Sequence, residues 1–192
     1  MLNGFIINID LVRNFYLIYY KKKNNRIVLC GINPGKFGAG KTGLPFLDYR
    51  SITQLLPGIN EDGSELSAQF IFDIISIFNV EEFFNHVYLT NISWFGFIKD
   101  GNNFNYYNLD SSLIEELTYG FIEEMRIVEP KAITPLSKEV EKTLKKMKDK
   151  YNLQYELGPR IPHPYYYSNF PSRYSTGIEK YCNIIKEYMR KD

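Results

Sequence analysis

Residues 35–42 read Gly-Lys-Phe-Gly-Ala-Gly-Lys-Thr, a literal match to the phosphate-cradling pattern that ends in Gly-Lys-Ser/Thr. That chemistry needs a strand, a glycine-rich loop, and a helix starting at the Gly-Lys-Thr. Only then do backbone amides and the helix dipole face the phosphates. A Mg²⁺-binding acid at the end of another strand completes such a site. The elements around the match decide whether these conditions hold.

A short apolar strand, 26–30, runs into Gly31, and a Gly/Pro-rich loop follows to about Tyr49. The strand condition is met. The helix condition is not, because Gly43 and Pro45 fall where the first turns have to propagate. Further apolar strands are expected at 86–93, 131–136 and 153–157. Helices are expected at 10–22 with Asp10 as N-cap, at 66–78, 109–128 and 137–150, and at 175–190. The second strand ends in Asn91 and the third in Pro135, neither of which is the expected acid. The acid pattern Phe-Ile-Phe-Asp at 70–73 lies in a segment expected to be helical. A P-loop nucleotide-binding phosphotransferase therefore stands only as the alternative reading.

Strands separated by helices predict an α/β fold: three α/β/α layers around a central four-stranded parallel sheet. Its site is expected beyond the carboxyl ends of the strands, in loops 31–50, 91–108, 136–137 and 158–174. The 192 residues fit one domain, 1–192, and the 44% hydrophobic content fits a globular chain. A net charge of +1 leaves any nucleic-acid affinity to a local patch. No secretory leader and no apolar run of membrane-spanning length are evident. Cys30 and Cys182 lack metal-ligand spacing, so a reduced, cytoplasmic chain is expected.

Three stretches share a different pattern. Gly-Ile-Asn-Pro-Gly (31–35), continued by Phe-Gly and Thr-Gly-Leu-Pro-Phe to residue 46, resembles the first motif of the uracil-DNA glycosylase superfamily. The similarity is greatest to its single-strand-selective monofunctional branch. Residues 87–91, Val-Tyr-Leu-Thr-Asn, resemble the strand that presents the family's base-reading Asn. His163-Pro164 resembles the second catalytic motif. Residues 65–75 and 95–109 also resemble a bacterial subgroup of the superfamily. The likeness spans roughly 26–170 in the expected order.

The resemblance implies a monofunctional enzyme that hydrolyses the N-glycosidic bond of uracil or another deaminated base in DNA and so starts base excision repair. No cofactor and no metal are implied, and two cysteines cannot hold a four-cysteine iron–sulfur cluster. In this reading Asn33 and His163 are catalytic. Asn33 orients water through its amide oxygen, and His163 donates to uracil O2 as the base leaves. Asn91 pairs with N3–H and O4, a pattern that cytosine reverses. Phe46 stacks on the flipped base, with Gly31, Ile32 and Gly35 also lining the pocket. Gly35 replaces a tyrosine of the best-known uracil-specific branch and is expected to leave room for 5-substituted uracils or deaminated purines. Outside the motif context an Asn before Pro is more often a turn former. A lone loop histidine or core phenylalanine would likewise carry no function by itself.

DNA, single- or double-stranded, is the implied partner of a monomer, and no membrane is involved. By function the location is the bacterial nucleoid. Lys36, Lys41, Tyr165, Ser168 and Arg173 are the expected DNA contacts. Residues 165–174, Tyr-Tyr-Tyr-Ser-Asn-Phe-Pro-Ser-Arg-Tyr, replace the Ser-Pro-Arg segment with which the relatives penetrate the duplex. Lysines 138, 142, 145, 146, 148 and 150 are expected to form a solvated helix face, and His86 to be structural. A DNA-binding relative without turnover is the remaining alternative.

Overall fold

The computed structural model describes residues 1–190. In chain order the elements are α1 (Gly4–Ile7), α2 (Ile9–Tyr19), β1 (Ile27–Gly31), α3 (Ala39–Thr42), α4 (Tyr49–Leu55), α5 (Leu66–Phe78) and α6 (Val80–His86). They continue with β2 (Val87–Asn91), β3 (Phe97–Lys99), β4 (Asn102–Phe104), a 3₁₀ turn (Tyr106–Asn108), α7 (Ser111–Val128) and β5 (Ala132–Pro135). The last elements are α8 (Lys138–Tyr151), β6 (Glu156–Leu157), α9 (Pro164–Ser168) and α10 (Pro171–Met189). Four parallel strands form the sheet in the order β2-β1-β5-β6. This is the expected α/β architecture.

Strand β1 is central and buried throughout. Its side chains alternate between two cores, as the two-residue period of a strand demands. Ile27 and Leu29 join the cluster built with α2, α4, α5, α6 and α10. Val28 and Cys30 join the one built with α7 and α8. Burying one such aliphatic side chain contributes about 1.5–3 kcal/mol, so a polar residue at one of these β1 positions would disrupt the layer it faces.

Caps set several helix starts. Ser137 Oγ accepts from Val140 N at 3.1 Å and Asp110 Oδ1 from Leu113 N at 3.0 Å, each worth about 1 kcal/mol. Asp10 is not the N-cap of α2; it sits in the first turn, and Asn8 precedes the helix. The Asn8 amide is occupied elsewhere, donating to Lys41 O at 2.6 Å. His86 ends α6 rather than opening β2. The loop expected over 91–108 contains the antiparallel β3–β4 hairpin. Its turn residues Asp100 and Gly101 both have positive φ (52° and 76°), the signature of a type I′ turn. The loop expected over 158–174 contains α9 and the first turn of α10, which starts at Pro171 rather than 175. Among the described residues no helix is long and apolar enough to cross a membrane.

Candidate active site

The phosphate-cradle match fails on geometry. Its helix, α3, is four residues long and ends at Thr42, with Gly43 left-handed at φ 80°. Amides that would face a phosphate are spent inside the loop: Gly40 N donates to Gly35 O at 2.9 Å, and Lys41 N to Gly38 O at 2.8 Å. Thr42 Oγ1 is buried and donates to Leu47 O at 2.8 Å, so it cannot reach a metal.

A cleft of about 750 Å³ opens beyond the carboxyl ends of β1 and β2. Asn33, Phe46, Asn91 and His163 all line it, together with Ile32, Gly35 and Tyr165. Asn91 ends β2 in register with Gly31. It is only 4% exposed, and among the described residues its side-chain amide bonds to no protein group. A Cβ at Gly31 would stand 2.2 Å from Asn91 Oδ1 and 2.6 Å from Phe46 Cζ. Glycine is therefore required there, as a seat for both side chains. Gly31 itself does not line the cleft, contrary to the expectation. Phe46 has φ 60°, a costly conformation for a bulky residue that marks constrained sites.

Asn33 is held at both ends of its amide. Oδ1 accepts from Tyr106 N at 2.9 Å, and Nδ2 donates to Phe104 O at 3.4 Å. An amide oxygen has two lone pairs, so one remains for water. The partners come from the end of β4 and the turn just after it, and Asn103 of β4 also accepts from Lys36 N at 3.0 Å. The hairpin thus clamps the motif loop.

His163 caps α9, its Nδ1 accepting from Tyr165 N at 3.2 Å. That bond places the ring proton on Nε2. Burial lowers the pKa to about 4, so the ring is a neutral N–H donor at neutral pH. Its centroid lies 5.7 Å from that of Phe46.

Behind β2, Glu124 of α7 gathers three donors: Tyr88 OH at 2.9 Å, Thr90 Oγ1 at 2.8 Å and Trp94 Nε1 at 2.7 Å. Burial outweighs these bonds and raises its pKa to about 7. The cluster brackets Asn91 on both sides in sequence and fixes the strand end that carries it.

The expected DNA contacts divide. Tyr165 borders the cleft and is half exposed. Arg173 lies over the rings of Tyr166 and Phe170, 4.7 and 4.5 Å from their centroids. Lys36, Lys41 and Ser168 do not line the cleft. Lys36 Nζ donates to Gly101 O at 2.6 Å, and Ser168 Oγ returns to Pro164 O at 3.1 Å. Lys41 is exposed on α3. The solvated lysine face of α8 is partly tied down, Lys148 donating to Tyr155 O at 2.7 Å, and Lys138 reaches the cleft. Glu65, Asn103, Asn105 and Tyr107 line the cleft as well. No role was expected of these four, although 65–75 and 95–109 are among the stretches carrying the resemblance.

The model of the uracil DNA glycosylase superfamily matches residues 18–190. The chain belongs to this superfamily, whose members are DNA glycosylases that hydrolyse N-glycosidic bonds; it is an enzyme of that type, with DNA as its partner and DNA repair as its setting. The chain is of the SMUG-like branch: its fold matches the crystal structure of wild-type SMUG2 from Pedobacter heparinus with a TM-score of 0.81 and 25% identity. That match covers 98% of this chain and 88% of the other. No curated protein sequence matches the chain.

Proposed function

We propose that this single-domain protein, acting as a monomer, releases uracil and other deaminated bases from DNA by hydrolysis and so initiates base excision repair. The observation that carries the reading is the meeting of Asn33, Phe46, Asn91 and His163 in one cleft, although they come from three separate stretches of the chain. A flipped base lies against Phe46 with its Watson–Crick edge toward Asn91. The Asn91 amide donates to O4 and accepts from N3–H.

Asn33, locked by Tyr106 and Phe104, holds a water beneath the anomeric carbon with its remaining lone pair. The sugar develops oxocarbenium character as the C1′–N1 bond breaks, so orientation and electrostatics matter more than nucleophilic push. The electron pair leaves with the base, and the His163 Nε2–H stabilises the charge at O2. Water supplies the hydroxyl at C1′. A neutral donor suits this step because it draws charge without first protonating the base. Outside the cleft, Tyr165, Tyr166, Phe170 and Arg173 offer an aromatic and cationic surface on which DNA bases stack and phosphates rest.

The test is incubation with single- and double-stranded oligonucleotides carrying uracil, hypoxanthine or xanthine, followed by alkali to cut at abasic sites. Alkali-labile sites that depend on both enzyme and damaged base support the reading. Their absence on every substrate overturns it.

A further inference from the structure

Residues 2–8 lie outside the four-stranded sheet and do not line the cleft, yet their contacts run to the loop that carries Asn33. Leu2 N donates to Gly96 O at 2.7 Å in an isolated antiparallel bridge. Its side chain fills space that two glycines leave. A Cβ at Gly40 would stand 2.6 Å from Leu2 Cδ1, and one at Gly96 would stand 2.7 Å from it. Gly4 lies backbone to backbone on the same loop: a Cβ there would stand 2.5 Å from Gly40 O and 2.6 Å from Lys41 O. Asn8 completes the hold, its Nδ2 donating to Lys41 O at 2.6 Å. Phe5 adds an edge-on contact with Trp94, their ring centroids 4.5 Å apart.

Two short paths lead from this segment to the Asn33 amide. One runs through Gly96, which Leu2 bonds. Gly96 packs so closely on the loop that a Cβ there would stand 2.4 Å from Pro34 O, and Pro34 O accepts from Asn33 Nδ2 at 3.3 Å. The other runs through Gly40, whose N–H closes the loop on Gly35 O at 2.9 Å, two residues from Asn33. The β3–β4 hairpin grips the front of the loop at Asn33 and Lys36; residues 2–8 grip its back. Ile6 and Ile7 face outward, 55% and 70% exposed, so the hold comes from the inner side of the segment. We infer that residues 2–8 form a positioning strap for the hydrolytic step, with Gly4 and Asn8 as its main contacts. By pinning 40–41 and 96 it keeps the Asn33 amide in place beneath the sugar. The inference rests on the glycosylase reading above and concerns the rate of bond cleavage rather than the choice of base. A displacement of about 1 Å at a reacting group costs roughly a hundredfold in rate, while DNA contacts away from the loop stay where they are.

The test is single-turnover base release at saturating enzyme, from oligonucleotides carrying uracil, hypoxanthine or xanthine, alongside binding to abasic DNA. Wild type is compared with Gly4→Ala, Asn8→Ala and Ile7→Ser, and the first two substitutions are also combined with Asn33→Ala. Gly4→Ala separates positioning from local folding, because alanine favours helix α1 yet drives its methyl into the loop backbone. Gly4→Ala and Asn8→Ala are expected to slow release by roughly tenfold or more, with abasic-DNA binding within about threefold of wild type. Ile7→Ser, on the outer face, should stay within about twofold. In the Asn33→Ala background the strap substitutions should change the rate by less than about twofold, because the amide they act through is gone. Where Gly4→Ala fails to fold, judged by melting, Asn8→Ala carries the test, since it removes only one partly exposed amide. Unchanged release in the folded strap variants, or an equal further loss in the Asn33→Ala background, overturns the strap alone. A wild type that releases none of the three bases overturns the glycosylase reading itself, and this inference with it.

Discussion

The side-chain oxygen of Asn33 accepts a 2.9 Å hydrogen bond from the backbone N–H of Tyr106, 73 residues further along the chain. The amide proposed to face the reacting sugar is therefore positioned by a distant segment as well as by its own turn, where Nδ2 also donates to Pro34 O at 3.3 Å. Asn33→Ala is expected to cut uracil release by roughly a hundredfold or more, since the lost group acts on water only in the reacting complex. Binding to abasic DNA should stay within about threefold of wild type. Stability should fall by about 1–2 kcal/mol, because the Tyr106 N–H and the Phe104 carbonyl lose their partner. Single-turnover kinetics, abasic-site binding and urea unfolding check the three parts. Equal loss of binding and turnover would leave Asn33 a turn residue.

Asn91 presents a buried amide whose two ends are free for a base. In Asn91→Asp the donor to O4 is gone, and a carboxyl can accept from the cytosine amino group instead. Uracil release should drop by roughly ten- to a hundredfold, the equivalent of about 1–3 kcal/mol. Slow cytosine release is the expected counterpart in the same assay. Unchanged uracil kinetics would move base reading to the backbone of loop 31–37.

Glu124 binds three donors behind β2, and no replacement by an apolar side chain can satisfy them. Glu124→Ala should destabilise the fold by about 3 kcal/mol or more, since Tyr88, Thr90 and Trp94 are left with unmet hydrogen bonds. Glu124→Gln retains an acceptor and should lose less. Denaturant unfolding of both variants decides the matter: equal, small losses would show that the cluster does not hold the strand end.

Burial lowers the pKa of His163 to about 4 in the folded protein, against about 6.5 in an unfolded chain. Between those values the unfolded chain takes up a proton that the folded chain does not. The contribution to stability is therefore complete above about pH 6.5 and is lost as pH falls toward 4. In His163→Gln this dependence is absent. The stability difference, wild type minus variant, should shrink from pH 7 to pH 4. Glu65 and Glu124, both raised to about 7, run the opposite way but are common to both proteins and cancel. A difference that widens toward pH 4 would mean the fold stabilises the imidazolium.

The sheet was legible because β1, β2 and β5 are wholly buried and mostly apolar runs and the intervening helices carry a clear period. Other elements left signals that went unread. Asp100-Gly101 is a strong hairpin turn pair, and it does turn β3 into β4. Pro164 and Pro171 each open a helix, as proline at a first helical position does. Asn79 caps α6, accepting from Glu82 N at 2.9 Å. The four cleft residues Asn33, Phe46, Asn91 and His163 were nameable because each lies in a local strand–loop motif. Glu65 was not, because its neighbours come from 35–38 and from 103, and nothing near it in sequence marks that meeting. The lysines misled for the converse reason: charge is visible in a sequence, but the carbonyl that an ammonium answers is not.

The central position of β1 also governs when this protein becomes competent. Both strands that flank it, β2 and β5, are synthesised after it, with helices and a hairpin between, so its pairing waits on long chain closures. Such non-local parallel pairing is slow to form. A nascent chain emerging from the ribosome already carries Asn33 and Phe46, but Asn91 and then His163 arrive only with later strands and loops. No partly made chain has the cleft, so a truncated translation product would lack any means of excising a base.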